Sequence, residues 1–354
     1  VKNLTIAPRQ VAFSNTNSVG TLAGTLRYGY IYDVTVDGNV DSAEGTSLRV
    51  VSGLNFVGGV VGRAVTSFEM KNISSNINVS SSYTSTEGAI YSESSGNLSH
   101  YSYAGSIAGY LGNGVITEVT VQNVSTIMGS RAGFVFGGIG RGGRASHVFT
   151  DVALDSAIRA YHYGGFIAGE IQGSLNYAHV SNNLSNETTF EVVPRAATAV
   201  GGISGLLAGG SISNAVVEQA FTATAVSNSN TVISYVGGIV GRVSGAGNYS
   251  STITGSMVTS NITGASVVGG AVGQVENALT IKEVAVKSPL LTLSGQKSNP
   301  YLGGIVGNIT NDNNSSLSMY NSYSTSNLVL DTATSGVTSQ ASVGGLIGNA
   351  MRTP

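Results

Sequence analysis

Cysteine and tryptophan are both absent from this 354-residue chain, proline occurs only 5 times, and charged residues make up just 10%. Without cysteine there are no disulfides, thiolate metal sites or thiol nucleophiles. That suits a secreted or surface bacterial protein that does without disulfide chemistry, and an intracellular one equally. Charge is far below the roughly 25% of ordinary domains. The net charge of −2 gives no general attraction to nucleic acid or to an anionic membrane. No apolar run approaches the roughly 18–20 residues of a spanning helix, so no direct membrane insertion is expected. The first residues lack a basic and then apolar leader pattern. The expectation is a soluble mature or excised segment whose export signal lies outside it.

Glycine is abundant, with 49 residues, but it does not recur every third position, which together with scarce proline excludes a collagen triple helix. With 41% hydrophobic residues and many β-branched ones, the composition is not that of a disordered chain. The glycines are concentrated in a recurring hexamer, seen in "YVGGIVGRV", "FVGGVVGRA", "YAGSIAGYL", "YGGFIAGEI", "AVGGISGLL", "VVGGAVGQV", "YLGGIVGNI" and "SVGGLIGNA". Its last glycine falls at Gly24, Gly62, Gly109, Gly137, Gly169, Gly205, Gly241, Gly273, Gly307 and Gly348, a mean spacing of 36 residues. A period in the range of roughly 20–50 residues marks a solenoid, propeller or array. Spacing varies in Ser/Thr/Asn-rich stretches such as "SSSYTSTEG" and "NNLSNETT", which read as loops.

A second element follows each hexamer: "IYDVTV" (31–36), "ITEVTV" (116–121), "LNYAHV" (175–180), "ISNAVV" (212–217) and "IKEVAV" (281–286). Its alternation of apolar and polar residues predicts a strand with one buried face. No stretch has a capped 3.6-residue periodicity, so helix is expected to be minor. Glycine inside a strand is unfavourable unless the backbone bends or another chain approaches closely. A stacked coil meets that condition in every rung, with Ile239 and Val240 packing on Val60 and Val61, Ile107 and Ala108, or Ile305 and Ile347. The predicted fold is all-β: a single domain over 1–354, a right-handed parallel β-helix of about ten glycine-rich repeats. At about 4.8 Å per rung it is roughly 50 Å long.

The G-G-[IL]-[VI]-G hexamer with its I-x-N-x-x-V strand resembles the GLUG-motif repeats of bacterial surface and secreted proteins. Such repeats also occur in the N-terminal regions of streptococcal immunoglobulin A proteases. The resemblance spans essentially the whole chain. It implies a parallel β-helix in an adhesin or modular surface protein, hence an extracellular or cell-surface location. The protease's zinc motif H-E-x-x-H does not occur here. The fourth copy, "AGFVFGGIGRGGRASHV", departs most, with phenylalanines and a glycine-arginine insertion.

Several motifs invite a chemical reading. G-x-G-x-x-G at Gly138, Gly140 and Gly143 matches the dinucleotide fingerprint, but "RASHVFTDVAL" after it reads as strand, and the fingerprint requires a helix. The expected reading is a widened turn with Arg141 and Arg144 at its rim. His100, His147, His162 and His179 have no metal-site spacing, so neither metal nor cofactor is expected. The best carboxylate grouping is Asp151 and Asp155, with Glu118 one rung earlier and His179 one rung later. Tyr103, Tyr163, Tyr235 and Tyr301 precede the hexamer at similar phase, which predicts an aromatic ladder or, alternatively, a sugar-stacking strip for host or matrix glycans. The N-x-[ST] sequons, including Asn3, Asn78, Asn123, Asn183, Asn261 and Asn308, read first as asparagines stacked at strand corners.

Both ends are expected to fall mid-repeat. "VKNLTI" is a second element with no hexamer before it, and "SVGGLIGNAMRTP" is a hexamer with no second element after it. Solenoids need covered ends. Val1, Leu4 and Ile6 at one end and Val343, Leu346 and Ile347 at the other are therefore candidates for self-association. They would meet neighbouring rungs of a longer solenoid or identical subunits stacked head to tail into a filament. Two functions stand open: a non-enzymatic structural or adhesive surface module, and a polysaccharide lyase or hydrolase built on a β-helix.

Overall fold

The computed structural model describes the chain except residues 9–10, 13–16, 39–49, 82–101, 182–187, 193–197, 226–233, 246–248, 295–299, 311–313, 332–340 and 352–354. The described residues contain strands, turns and bends but no helix. Among the described residues, 37 strands belong to one continuous hydrogen-bonded system in which every pairing is parallel. The described residues form a parallel β-helix of ten coils.

Each coil has four strand positions, although sheet A is split in two in the last three coils and Ala108–Gly133 and Phe136–Gly165 run through several positions without a break. In the first coil the strands are Lys2–Ile6, Val11–Ala12, Ser18–Gly20 and Ala23–Leu26, and these positions define sheets A, B, C and D. The second element of the sequence repeat is sheet A. The hexamer is not one strand but two: Ser234–Gly237 in sheet C and Val240–Val243 in sheet D, with a bend at Gly238 and Ile239. Counted from sheet A, the last coil runs from Ser316–Tyr320 to Ile347–Ala350.

Inside the helix, equivalent residues form columns. Val61, Ala108, Phe136, Ala168, Ser204, Val240, Val272, Val306 and Ile347 follow one another in register. The neighbouring column runs through Val60, Ile107, Val135, Ile167, Ile203, Ile239, Ala271, Ile305 and Leu346, linked by backbone hydrogen bonds at every step except Val135 to Ile167, where Phe136 N donates to the Ile167 carbonyl instead. From Val60 and Val61 to Ile305 and Val306, the apolar members are fully buried in one continuous core. At roughly 25 cal/mol per Å² removed from water, these columns are the main stabilising term.

The glycines answer to a close approach. A Cβ on Gly237 would lie 2.0 Å from the Val240 carbonyl oxygen, and one on Gly241 2.4 Å from the Val200 nitrogen. The strands of sheets C and D thus close on one another backbone to backbone, and only glycine fits. The middle position differs: Gly238 is replaced by Phe134 and Phe166 in two coils, where the rings stack 6.0 Å apart within the core.

The alternation predicted for the second element slips once per coil. In Gly29–Val36 both Tyr32 and Asp33 lie outside, and Asp33 has φ of 53°. Asn3, Asn72, Glu118, His147, Tyr177, Asn214, Gly255, Glu283 and Asn321 occupy the same position with φ of 47–58°. This left-handed corner turns sheet A in every coil, and Asn, Asp and Gly tolerate it best. Asn72 Nδ2 donates to Asp33 Oδ1 at 2.8 Å, as expected for side chains stacked at a corner.

Candidate functional site

Because sheets C and D close on each other, their outward side chains meet in a narrow seam outside the main core. Sheet C contributes Ser18, Phe56, Tyr103, Arg131, Tyr163, Ala199, Tyr235, Val267, Tyr301 and Ser342 in register. Sheet D contributes Thr25, Arg63, Tyr110, Gly138, Glu170, Leu206, Arg242, Gln274, Asn308 and Asn349. In every coil the two are seven residues apart, one just before the glycine bend and one just after it.

The seam holds two ion pairs and an amide ladder. Arg131 pairs through Nε with Glu170, and both side chains are about 5% exposed or less. The Arg131 guanidinium lies between the rings of Tyr103 and Tyr163, 5.1 and 5.4 Å from their centroids. The Tyr103 hydroxyl donates to Glu170 Oε2 at 3.3 Å, and Gln172 Nε2 donates to Oε1 at 2.7 Å. Arg242 bridges Glu276 Oε2 at 2.5 Å and the Tyr163 hydroxyl at 3.2 Å. Asn349 then donates to Asn308, Asn308 to Gln274 and Gln274 to Glu276. Burial raises the Tyr103 hydroxyl pKa well above the usual range and pushes Tyr110 up to about 12, with the Glu170 carboxylate adding to both. Tyr235 is raised in the same way by burial and then by Glu276. Paired charges and rings inside a dry seam clamp sheet C to sheet D along the helix axis.

The four candidate tyrosines share one column but do not stack on each other. Arg131, Ala199 and Val267 separate them, one in each intervening coil. Tyr103 stacks instead on Phe56, with centroids 5.3 Å apart. A continuous tyrosine ladder is therefore corrected to an alternation of rings with a guanidinium and two small apolar side chains. Tyr103, Tyr163 and Tyr235 are at most 7% exposed and Tyr301 is half-buried, so their ring faces are taken up by the seam.

The candidate end residues belong to the first and last of the described coils. Val1 is 60% exposed, and Leu4 and Ile6 are half-buried where Val34 and Val36 below them are fully buried. Val343 and Leu346 are 51% and 44% exposed and Ile347 is half-buried, against complete burial of Leu302, Ile305 and Val306 one coil earlier. A Cβ on Gly304 would meet the Gly345 carbonyl at 2.0 Å, but one on Gly345 would meet nothing within 4 Å.

The carboxylate grouping does not converge. Glu118 occupies the left-handed corner and pairs with Lys71 at 3.2 Å. Asp151 aligns instead with Gln122 and accepts from Ser181, while His179 pairs with Glu218 at 3.0 Å. The Asp155 side chain, His100 and Asn183 lie outside the described residues. His162 Nδ1 bonds Ser130 Oγ at 2.7 Å, and among the described residues no group of three or more His, Asp or Glu is placed to hold a metal. Gly138, Gly140 and Gly143 lie in the extended strand Phe136–Gly165, with the Tyr110 hydroxyl packed over Gly140. Arg141 covers the Tyr249 ring at 4.0 Å, and Arg144 is exposed. Of the sequons, Asn78 and Asn308 are buried, whereas Asn3, Asn123 and Asn261 are exposed.

Sequence reasoning singled out the tyrosines of sheet C but missed their partners in sheet D, the residues after the final glycine such as Arg63, Tyr110, Glu170, Arg242, Gln274 and Asn308, whose bulk and polarity beside a glycine were a usable signal.

Fold and seam together define a class: a parallel β-solenoid with an outer seam between sheets C and D. No family model matches the chain, and no curated protein matches it. Among solved structures, a "putative immunoglobulin A1 protease" from Bacteroides ovatus is similar over 88% of this chain and 84% of that one, with a TM-score of 0.49 and 14% sequence identity.

Proposed function

We propose that this chain is a non-enzymatic structural and adhesive module of a bacterial cell-surface or secreted protein, a stiff rod that presents its outer faces to the surroundings. The observation that carries this reading is the stack of ten parallel coils, held by continuous inner apolar columns and, in its middle coils, by the ion pairs of the outer seam. Such a lattice resists bending and offers long, regular faces, the properties of a spacer or display scaffold.

The end coils extend the reading. The half-exposed core residues of the first and last coils suit further rungs, supplied by the same protein or by identical subunits head to tail. Continuing the columns places Asn321 over Asn3, Gly344 over Gly20 and Ile347 over Ala23 of a following copy, a heterologous and non-closing contact. Analytical ultracentrifugation with small-angle scattering tests it. The 354-residue chain should associate with concentration, growing in length at constant cross-section, and deleting Val1–Ile6 should stop this. A particle that stays monomeric at millimolar concentration overturns the head-to-tail version. A scattering profile without a rod-like cross-section overturns the scaffold reading itself.

A further inference from the structure

The outer face of sheet A changes character in the fifth and sixth coils. At the left-handed corner other coils carry Asn, Asp, Glu or Gly, but these two carry His147 and Tyr177. Two residues further along, the outward column reads Thr5, Thr35, Ser74 and Thr120 before it becomes Phe149 and His179. Four aromatic side chains therefore form a two-by-two block. His147 and Tyr177 stack 5.0 Å apart with an interplanar angle of 20°, and Phe149 meets His179 edge-on at 5.5 Å. Tyr177 is 52% exposed.

The corner itself does not call for a large aromatic: tyrosine is disfavoured at positive φ relative to glycine or asparagine, which the same position uses in most other coils. The inner side of the block is ordinary: Val148 and Ala178 are buried in the core like their counterparts in other coils.

We propose that the block formed by His147, Phe149, Tyr177 and His179 binds a neutral sugar unit. Two features select that chemistry. The first is size: neighbouring coils are about 5 Å apart and alternate residues about 7 Å apart, so the block matches a single pyranose ring. A protein partner of ordinary affinity needs roughly 800 Å² on each side, far more than four side chains provide. The second is the rim. Glu218, held 3.0 Å from His179 Nε2, and Asp151, accepting from Ser181 at 3.2 Å, are carboxylates. Asn214 donates to Asn176 beside them at 2.9 Å. Carboxylates and amide oxygens accept hydrogen bonds from sugar hydroxyls, the apolar C–H face of the ring packs on the aromatics, and an anionic ligand is repelled.

This proposal deepens the adhesive reading and rests on it. The test uses Tyr177→Asn, which installs the residue that the corner carries in other coils and so preserves folding. Saturation-transfer NMR and calorimetry would be run with neutral oligosaccharides of glucose, galactose, mannose and N-acetylglucosamine, and with sialylated and sulfated counterparts. At least one neutral glycan should bind the parent chain. Its Kd should rise tenfold or more in the variant at an equal or higher Tm, while Tyr320→Asn at the last coil should change nothing. Binding that survives Tyr177→Asn unchanged, or that favours the anionic glycans, overturns this site but leaves the adhesive reading in place. Absence of binding to every glycan overturns both.

Discussion

Replacing Arg131 by methionine would leave the Glu170 carboxylate buried at 3% exposure without its cationic partner. Removing one member of a buried pair costs about 3–5 kcal/mol, because the desolvation of the remaining charge is no longer offset. Two donors remain on Glu170, the Tyr103 hydroxyl at 3.3 Å and Gln172 Nε2 at 2.7 Å, which places the loss at the lower end, about 3 kcal/mol. Methionine still fills the space between the Tyr103 and Tyr163 rings, so little of the loss comes from a cavity. Glu170→Met should cost a similar amount for the opposite reason. The double variant removes both charges but leaves the Tyr103 hydroxyl and the Gln172 amide without their acceptor, so it should cost about 1–3 kcal/mol, well below the sum of the two single losses. Urea denaturation followed by far-UV circular dichroism at pH 7 gives all four corners of the cycle. Stacked coils need not unfold in one step, so midpoint and slope are compared together. Losses that simply add in the double variant, or a single-variant cost below about 0.5 kcal/mol, would refute the idea that the pair clamps sheets C and D.

The glycine bend makes a paired forecast in one column: Gly304→Ala, whose Cβ would sit 2.0 Å from the Gly345 carbonyl, should lower Tm strongly, while Gly345→Ala should leave it nearly unchanged. Equal shifts would contradict the close-approach account. Val240→Asp places an unpaired charge in a fully buried column and should cost several kcal/mol or prevent folding; a near-native melting curve would sink the stacking assignment. The raised tyrosine pKa values predict alkaline instability. The unfolded chain releases the Tyr110 proton near pH 10, whereas the folded chain holds it to about 12, so the folded state binds more protons between those values. That stabilisation is fully present below pH 10 and lost as pH rises to 12, on the order of 2–3 kcal/mol from this residue. Absorbance at 295 nm alongside circular dichroism checks it: Tyr110→Phe should flatten the loss.

The repeat period, the parallel β-helix and the inner columns were legible in the sequence because each depends on residues that recur at one position of every coil. The hexamer aliphatics needed only a common period to stack, and the expected tight corner was implied by glycine recurring inside a strand. The left-handed slip in sheet A was half visible in the recurrent Asn and Asp of the second element, and was obscured where Glu118, His147 or Tyr177 takes that place. The seam was not legible. Tyr235 and Arg242 lie seven residues apart, an odd separation that in a continuous strand puts two side chains on opposite faces. They meet because Gly237 and Gly241 let two backbones touch, which folds the outer faces of sheets C and D inward and turns nominally exposed positions into buried ones. Register then decides the partners across coils: Arg131 falls between Tyr103 and Tyr163, and Glu170 comes within reach from the next coil. That selection depends on the length of each coil and the direction in which it stacks. Those are properties of the assembled helix, so only the tertiary structure decided them.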